Sequence, residues 1–190
     1  MSLRVPYGAL RLFVYLGFLM TAGMAAPGQA KDVHILAFGD SLTAGYGLPR
    51  EQGFAPQLED TLRRNGIRAH VTNAGVSGNT AANGRSRVKW TLDGLKLKPD
   101  LAIVALGAND MLRGYSPGQT REDLDAILAE FKRRDIPVLL AGMIAPPNLG
   151  QRYMTEYNMI FPDLARKYRA IRRSTCRTGF IPIFRASSGW

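Results

Sequence analysis

Histidine is scarce in this 190-residue chain: there are two, His34 and His70, and none follows. Cysteine occurs once, at Cys176, so no internal disulfide can form. Two histidines and one cysteine provide no cluster with zinc spacing, and no metal or other cofactor is expected. Acidic residues stop at Asp163. There is no internal repeat, linker or low-complexity stretch. The apolar content of 46% and charged content of 21% are those of an ordinary globular protein, and the length suits one α/β domain with a single core.

The formal net charge of +10 invites a nucleic-acid reading, but its distribution argues against one. Arg4 and Arg11 stand at the amino end, and Arg169, Arg172, Arg173, Arg177 and Arg185 follow Tyr168 without an acidic partner. Between Lys31 and Tyr168, 18 Lys/Arg face 15 Asp/Glu, a net of only +3. A nucleic-acid footprint should cluster on the folded domain, so no nucleic-acid partner is expected.

The first 30 residues read as a secretory signal: Arg4 and Arg11, an apolar stretch from Leu12 to Met20, then small residues with Gly28 and Ala30 at the −3 and −1 positions. The run to Ala26 falls short of the ~20 residues that span a bilayer. The expectation is an exported protein, periplasmic or secreted, with no stable membrane insertion after cleavage.

Val33 to Phe38 reads as a buried strand ending at Gly39. Phe54, Leu58 and Leu62 recur at helical spacing, and Asn65-Gly66 closes that helix. Ile67 to Thr72 reads as a second strand followed by a small-residue loop, Asn73 to Gly78. Thr80 to Leu95 reads as helix and Leu101 to Leu106 as the clearest buried strand. Thr120 with Asp123 resembles a capping box ahead of a helix with Leu124, Ile127, Leu128 and Phe131 on its apolar face. Pro137 to Gly142 is a fourth strand, and Tyr153 to Tyr168 a helix broken near Pro162. Alternating strands and helices imply a parallel sheet covered on both faces. Ligands then bind beyond the carboxyl ends of the strands, at the loops after Phe38, Thr72, Leu106 and Gly142.

Three of those loops carry groups suited to acyl transfer. Gly39-Asp40-Ser41-Leu42 sets a hydroxyl just past a strand end, at a helix start whose free N–H groups favour a developing oxyanion. A Gly-x-Ser-x-Gly elbow would need glycine where Thr43 stands. Gly78 can offer an unobstructed backbone N–H, and Asn109 a side-chain amide; such donors are worth about 3–4 kcal/mol each in catalysis. Each feature alone has a commonplace explanation: an N-cap serine, a flexible loop, an Asn-Asp turn. Their succession at three strand ends favours the functional one.

These residues resemble the SGNH hydrolases, also called GDSL esterases, and most of all the bacterial periplasmic branch of thioesterase I, arylesterase and lysophospholipase. The resemblance rests on Ile35 to Tyr46, on Asn73 to Gly78, on Leu106 to Gly114 and on Tyr157 to Ala165. It implies a three-layer flavodoxin-like α/β/α fold and hydrolysis of a small acyl ester or thioester without a metal. Ser41 would be the nucleophile, its N–H joining Gly78 and Asn109 in holding the oxyanion.

The family's Asp-x-x-His block, which supplies the general base and its orienting acid, is not found in this sequence. His34 lies five residues before Gly39, roughly 17 Å back along an extended strand, and His70 three before Asn73, roughly 10 Å back. Both read as ordinary strand histidines, and Asp40 and Asp110 as loop-ordering residues. The expected organisation is a leader at residues 1–30, an incomplete hydrolase domain at 31–168, and an atypical basic ending at 169–190 that a frameshift near Tyr168 would explain. That ending predicts a C-terminally truncated sheet lacking its last strand and helix, and a chain with little activity.

Overall fold

The computed structural model describes residues 32–174; the leader, Cys176 and the basic residues Arg177 and Arg185 lie outside the described residues. Five strands pair in parallel in the order β2-β1-β3-β4-β5. They are β1 (Val33–Gly39), β2 (Ala69–Gly75), β3 (Leu101–Ala105), β4 (Val138–Gly142) and β5 (Ile171–Ser174). Six helices join them: α1 (Ser41–Ala44), α2 (Phe54–Arg64), α3 (Ala81–Asp93), α4 (Ala108–Leu112), α5 (Pro117–Arg133) and α6 (Gln151–Tyr168). This is the expected flavodoxin-like arrangement, whose strand order reverses between β1 and β3.

The apolar runs of β1 and β3 follow from their place in the middle of the sheet, where both faces are covered. On one face Leu36, Phe38, Val104 and Leu140 pack against α3, α5 and α6, through Val88, Leu124, Phe131, Ile160 and Leu164 among others. Phe38 and Phe131 meet edge to face with ring centroids 6.0 Å apart. On the other face Ile35, Ala37, Val71 and Ile103 pack against Ala55 and Leu58 of α2. Each such fully buried side chain contributes about 1.5–3 kcal/mol by leaving water.

Several expectations are corrected. β2 starts at Ala69 rather than Ile67 and runs on to Gly75, because Asn73, Ala74 and Gly75 pair in register with Ala37, Phe38 and Gly39. The Thr120–Asp123 capping box does not form. α5 begins three residues earlier, at Pro117, where a missing N–H costs nothing. Thr120 Oγ1 instead donates to the Ser116 carbonyl, 3.1 Å, and Asp123 accepts from Arg85, 3.0 Å. The capping box lies at Thr80–Asn83. α6 runs unbroken through Pro162, held by the buried Tyr157, Ile160, Phe161 and Leu164. The sheet does not stop at β4. Arg169 takes a left-handed conformation, φ 52°, and the chain then returns as β5 with Leu139 to Gly142 paired to Ile171 to Ser174. Backbone ladders need no particular side chain, so the basic composition of this stretch did not prevent pairing.

β2 is an outer strand. Glu59 of α2 reaches over it and accepts the Val71 N–H at 2.7 Å, while its other oxygen pairs with Arg63 at 2.7 Å.

At the carboxyl ends of α3 and α5, Lys89, Asp93, Glu130, Arg133 and Arg134 line a charged cleft. Arg134 pairs with Asp93 and with Glu130 at 2.6 and 2.7 Å. Hydrogen bonds from Arg133, and then Arg134, hold the Glu130 carboxyl down to about 2 from an ordinary 4.5. A depressed carboxyl stabilises the fold above its unfolded value and loses that contribution as pH falls toward its folded value. Glu130→Gln should therefore lower the urea midpoint at about pH 6, and the gap from wild type should narrow by about pH 3.

Candidate active site

β1 delivers the first loop. Asp40 caps α1, its Oδ1 accepting the Leu42 N–H at 3.0 Å, which leaves Ser41 in the first turn of that short helix. Gly39 cannot be anything larger, since a Cβ there would lie 2.0 Å from Thr43 Oγ1 and 2.7 Å from the Ala105 carbonyl. Gly45, φ 81°, ends the turn in the left-handed region that favours glycine.

The second loop leaves β2 against the first. A Cβ on Gly75 would strike the Ala44 nitrogen at 2.2 Å, so these backbones touch directly. The Val76 N–H donates to the Gly39 carbonyl at 3.0 Å. Asn73 accepts from the Gly75 N–H at 2.9 Å and shapes the strand end. Gly78 is left-handed, φ 79°, and its carbonyl accepts from Arg113 at 3.1 Å. That bond restrains the peptide that follows Gly78.

The third loop begins at Gly107, φ 112°, packed so closely that a Cβ would meet the Tyr157 hydroxyl at 2.8 Å. Tyr157, fully buried, donates that hydroxyl to the Gly107 carbonyl at 2.9 Å. Asn109 Nδ2 donates to the Asn79 carbonyl at 2.9 Å. One of its two amide hydrogens is thereby used, which sets the direction of the other. Asp110, 2% exposed, accepts the Ala81 N–H at the start of α3, 2.9 Å. Burial raises the carboxyls of both Asp40 and Asp110, against backbone hydrogen bonds that lower them.

Ser41, Gly78 and Asn109 thus occupy three loops that leave adjacent strands and are joined by hydrogen bonds between loops. His34 and His70 are the second residues of β1 and β2, at the opposite ends of those strands, in register with ring centroids 6.2 Å apart. No group of three or more His, Cys, Asp or Glu suited to a metal occurs among the described residues. Sequence reasoning missed Asn79, Arg87, Arg113 and Tyr157. Arg87 sits mid-helix, and Tyr157 entered only as the first residue of the late-helix stretch Tyr157 to Ala165. Only the packed structure shows that their polar ends turn toward the loops.

Residues 37–188 match the GDSL-like Lipase/Acylhydrolase family. The arylesterase of Vibrio mimicus is 37% identical over 142 residues, covering 75% of this chain and 70% of that protein. The Escherichia coli K12 protein named thioesterase 1/protease 1/lysophospholipase L1 is 33% identical over 154 residues, covering 81% and 71%. Among solved structures, AlinE4, an SGNH-hydrolase family esterase, superposes with a TM-score of 0.73 at 54% identity, covering 75% of each chain.

The closeness of Gly75 to α1 has a measurable consequence. Gly75→Ala should destabilise the fold by about 1–3 kcal/mol, the usual cost of forced overpacking, read as a lower urea midpoint with unchanged slope. An unaltered midpoint would mean that the two backbones are free to separate.

Proposed function

Because this chain belongs to the GDSL-like lipase/acylhydrolase family, we propose that it hydrolyses small acyl esters or thioesters, with Ser41 as nucleophile. In this reading the Ser41 N–H, the Gly78 N–H and the Asn109 side chain hold the oxyanion of the tetrahedral intermediate. The observation that carries it is the stitching of the loops after β1, β2 and β3 by the bonds from Val76 to Gly39 and from Asn109 to Asn79. Prealigned donors act because they need no reorganisation when charge develops. Exposed apolar side chains that would suit an acyl group follow the same strand ends: Leu42 and Leu112 in the short helices α1 and α4, and Tyr46, Tyr115 and Ile144 in the segments beyond them. The relatives named above as an arylesterase and as a thioesterase and lysophospholipase support the same substrate class. Export, with a mature product beginning at Lys31, belongs to this proposal.

One observation favours a second reading, an acyl-binding domain with crippled turnover. Both histidines stand at the starts of their strands, away from the strand end that bears Ser41, and no histidine follows His70. A serine hydroxyl without a base is a weak nucleophile at neutral pH, and loss of triad members costs about 10⁴–10⁶ in kcat. Under this reading the oxyanion donors remain and the proton acceptor is missing.

Labelling by a fluorophosphonate and release of p-nitrophenol from p-nitrophenyl acetate separate the two. Hydrolysis at Ser41 requires labelling and turnover that Ser41→Ala abolishes and Asn109→Ala lowers by about 10²–10³-fold. Turnover no faster than that of Ser41→Ala, alongside retained acyl binding, would establish the second reading. For export, the intact mass of the protein recovered from a secreting host should correspond to a start at Lys31; a retained leader would contradict it.

A further inference from the structure

Arg87 is the one guanidinium in the described residues that reaches both the Ser41 loop and the Gly78 loop. It projects from the second turn of α3. Nη2 donates to the Gly39 carbonyl at 2.9 Å, two residues before Ser41. Nε donates to Asn79 Oδ1 at 2.7 Å, one residue after Gly78. The plane lies over the buried Phe38 ring, 4.0 Å from its centroid. The same Asn79 accepts, through its backbone carbonyl, the amide of Asn109. One side chain therefore contacts the first loop directly, the second directly and the third at one remove.

The chemistry of the contacts is as informative as their positions. No carboxylate pairs with Arg87 among the described residues: both hydrogen-bond partners are neutral oxygens, and the third contact is an aromatic face. Burial accordingly lowers its affinity for a proton, although a guanidinium stays charged in proteins. Arg87 is half-buried, and withdrawing part of a charge from water onto neutral acceptors alone is costly. A neutral side chain would serve packing here at lower cost. The Gly39 carbonyl already has a donor in Val76, so loop closure does not depend on this arginine.

We propose that Arg87 is a positioning residue for acyl transfer: it clamps the Gly39 carbonyl to Asn79 and so aims the Gly78 and Asn109 donors at the oxyanion that develops on the acyl carbonyl oxygen as Ser41 adds to it. The inference rests on the reading of Ser41 as nucleophile. The fork geometry matters, since two acceptors on different loops must be met from one plane, which a lysine ammonium on its flexible stem does not reproduce.

The test uses the full chain with Arg87→Ala and Arg87→Lys. Fluorophosphonate labelling of Ser41 should slow about tenfold or more in Arg87→Ala, a loss of the size that misaimed oxyanion donors produce. Arg87→Lys should recover only part of the rate, and added guanidinium ion should restore Arg87→Ala. In parallel, hydrogen exchange of the Asn109 side-chain amide, read by NMR, should quicken in Arg87→Ala and slow again with guanidinium. This second readout does not require a reactive serine. Wild-type labelling no faster than that of Ser41→Ala would defeat the nucleophile reading, and the proposed role in acyl transfer with it. Wild-type labelling rates in Arg87→Ala, or unchanged Asn109 exchange, would defeat the Arg87 proposal alone. A slowed rate that follows a lowered melting temperature and ignores guanidinium would reduce Arg87 to a structural residue, which also overturns it.

Discussion

β1 is paired on both edges, with β2 along its full length and with β3 from Ile35 onward. Parallel pairing makes all three strands end on the same side, at an inter-strand spacing of about 4.8 Å. The Gly39, Gly75 and Ala105 ends are aligned in register. Loops that leave such neighbouring ends are close before any side chain acts. The glycines then let them touch: Gly39 against the Ala105 carbonyl, Gly75 against Ala44. Without that backbone contact, the bonds from Val76 to Gly39 and from Asn109 to Asn79 would have to span a gap.

Polar groups buried under these loops are all held by specific partners, and no buried side-chain nitrogen or oxygen among the described residues lacks one. Asp40 caps the turn that bears Ser41, Asp110 caps the start of α3, and Tyr157 fastens Gly107. The bonds from Asp110 to α3 and from Tyr157 of α6 to Gly107 join loops to helices packed on the core, so those loops inherit the rigidity of packed helices. The buried hydroxyl of Tyr157, its proton affinity raised first by desolvation, remains a donor throughout the physiological range. The contrast lies at the carboxyl ends of α3 and α5, where half-buried Glu130 is held by arginines that reach solvent, so that salt and acid should act on them directly.

Most of the architecture was legible because its signals were local. The runs 33–38 and 101–106 could hardly be other than buried strands, and their alternation with helices implies a parallel sheet, while the flavodoxin-like arrangement came from the family resemblance. The three loop motifs were legible as residues, since Gly-Asp-Ser, the glycine of the second loop and Gly-Ala-Asn-Asp each sit at a strand end. The errors share one cause: tertiary pairing decided what local pattern could not. Asn73 to Gly75 look like loop but have β1 beside them. Thr120 looks like a cap but lies one turn inside a helix that Pro117 starts. Ile171 to Ser174 look alien to a core but find the free edge of β4. Arg87, Asn79 and Tyr157 were invisible for the same reason, because nothing in a linear pattern says which atom a long side chain will meet 48 residues away.

The Glu59 side chain laid over β2 also bears on how the molecule meets its own copies. An outer strand presents unused N–H groups that can recruit another chain as an added strand. Glu59 satisfies the Val71 N–H internally and puts a negative charge where an incoming backbone carbonyl would have to approach. Growth of the sheet across that border is opposed by chemistry as well as by geometry. The border is therefore a built-in stop against fibrillar association, contributed by a residue that has no part in the site at the strand ends.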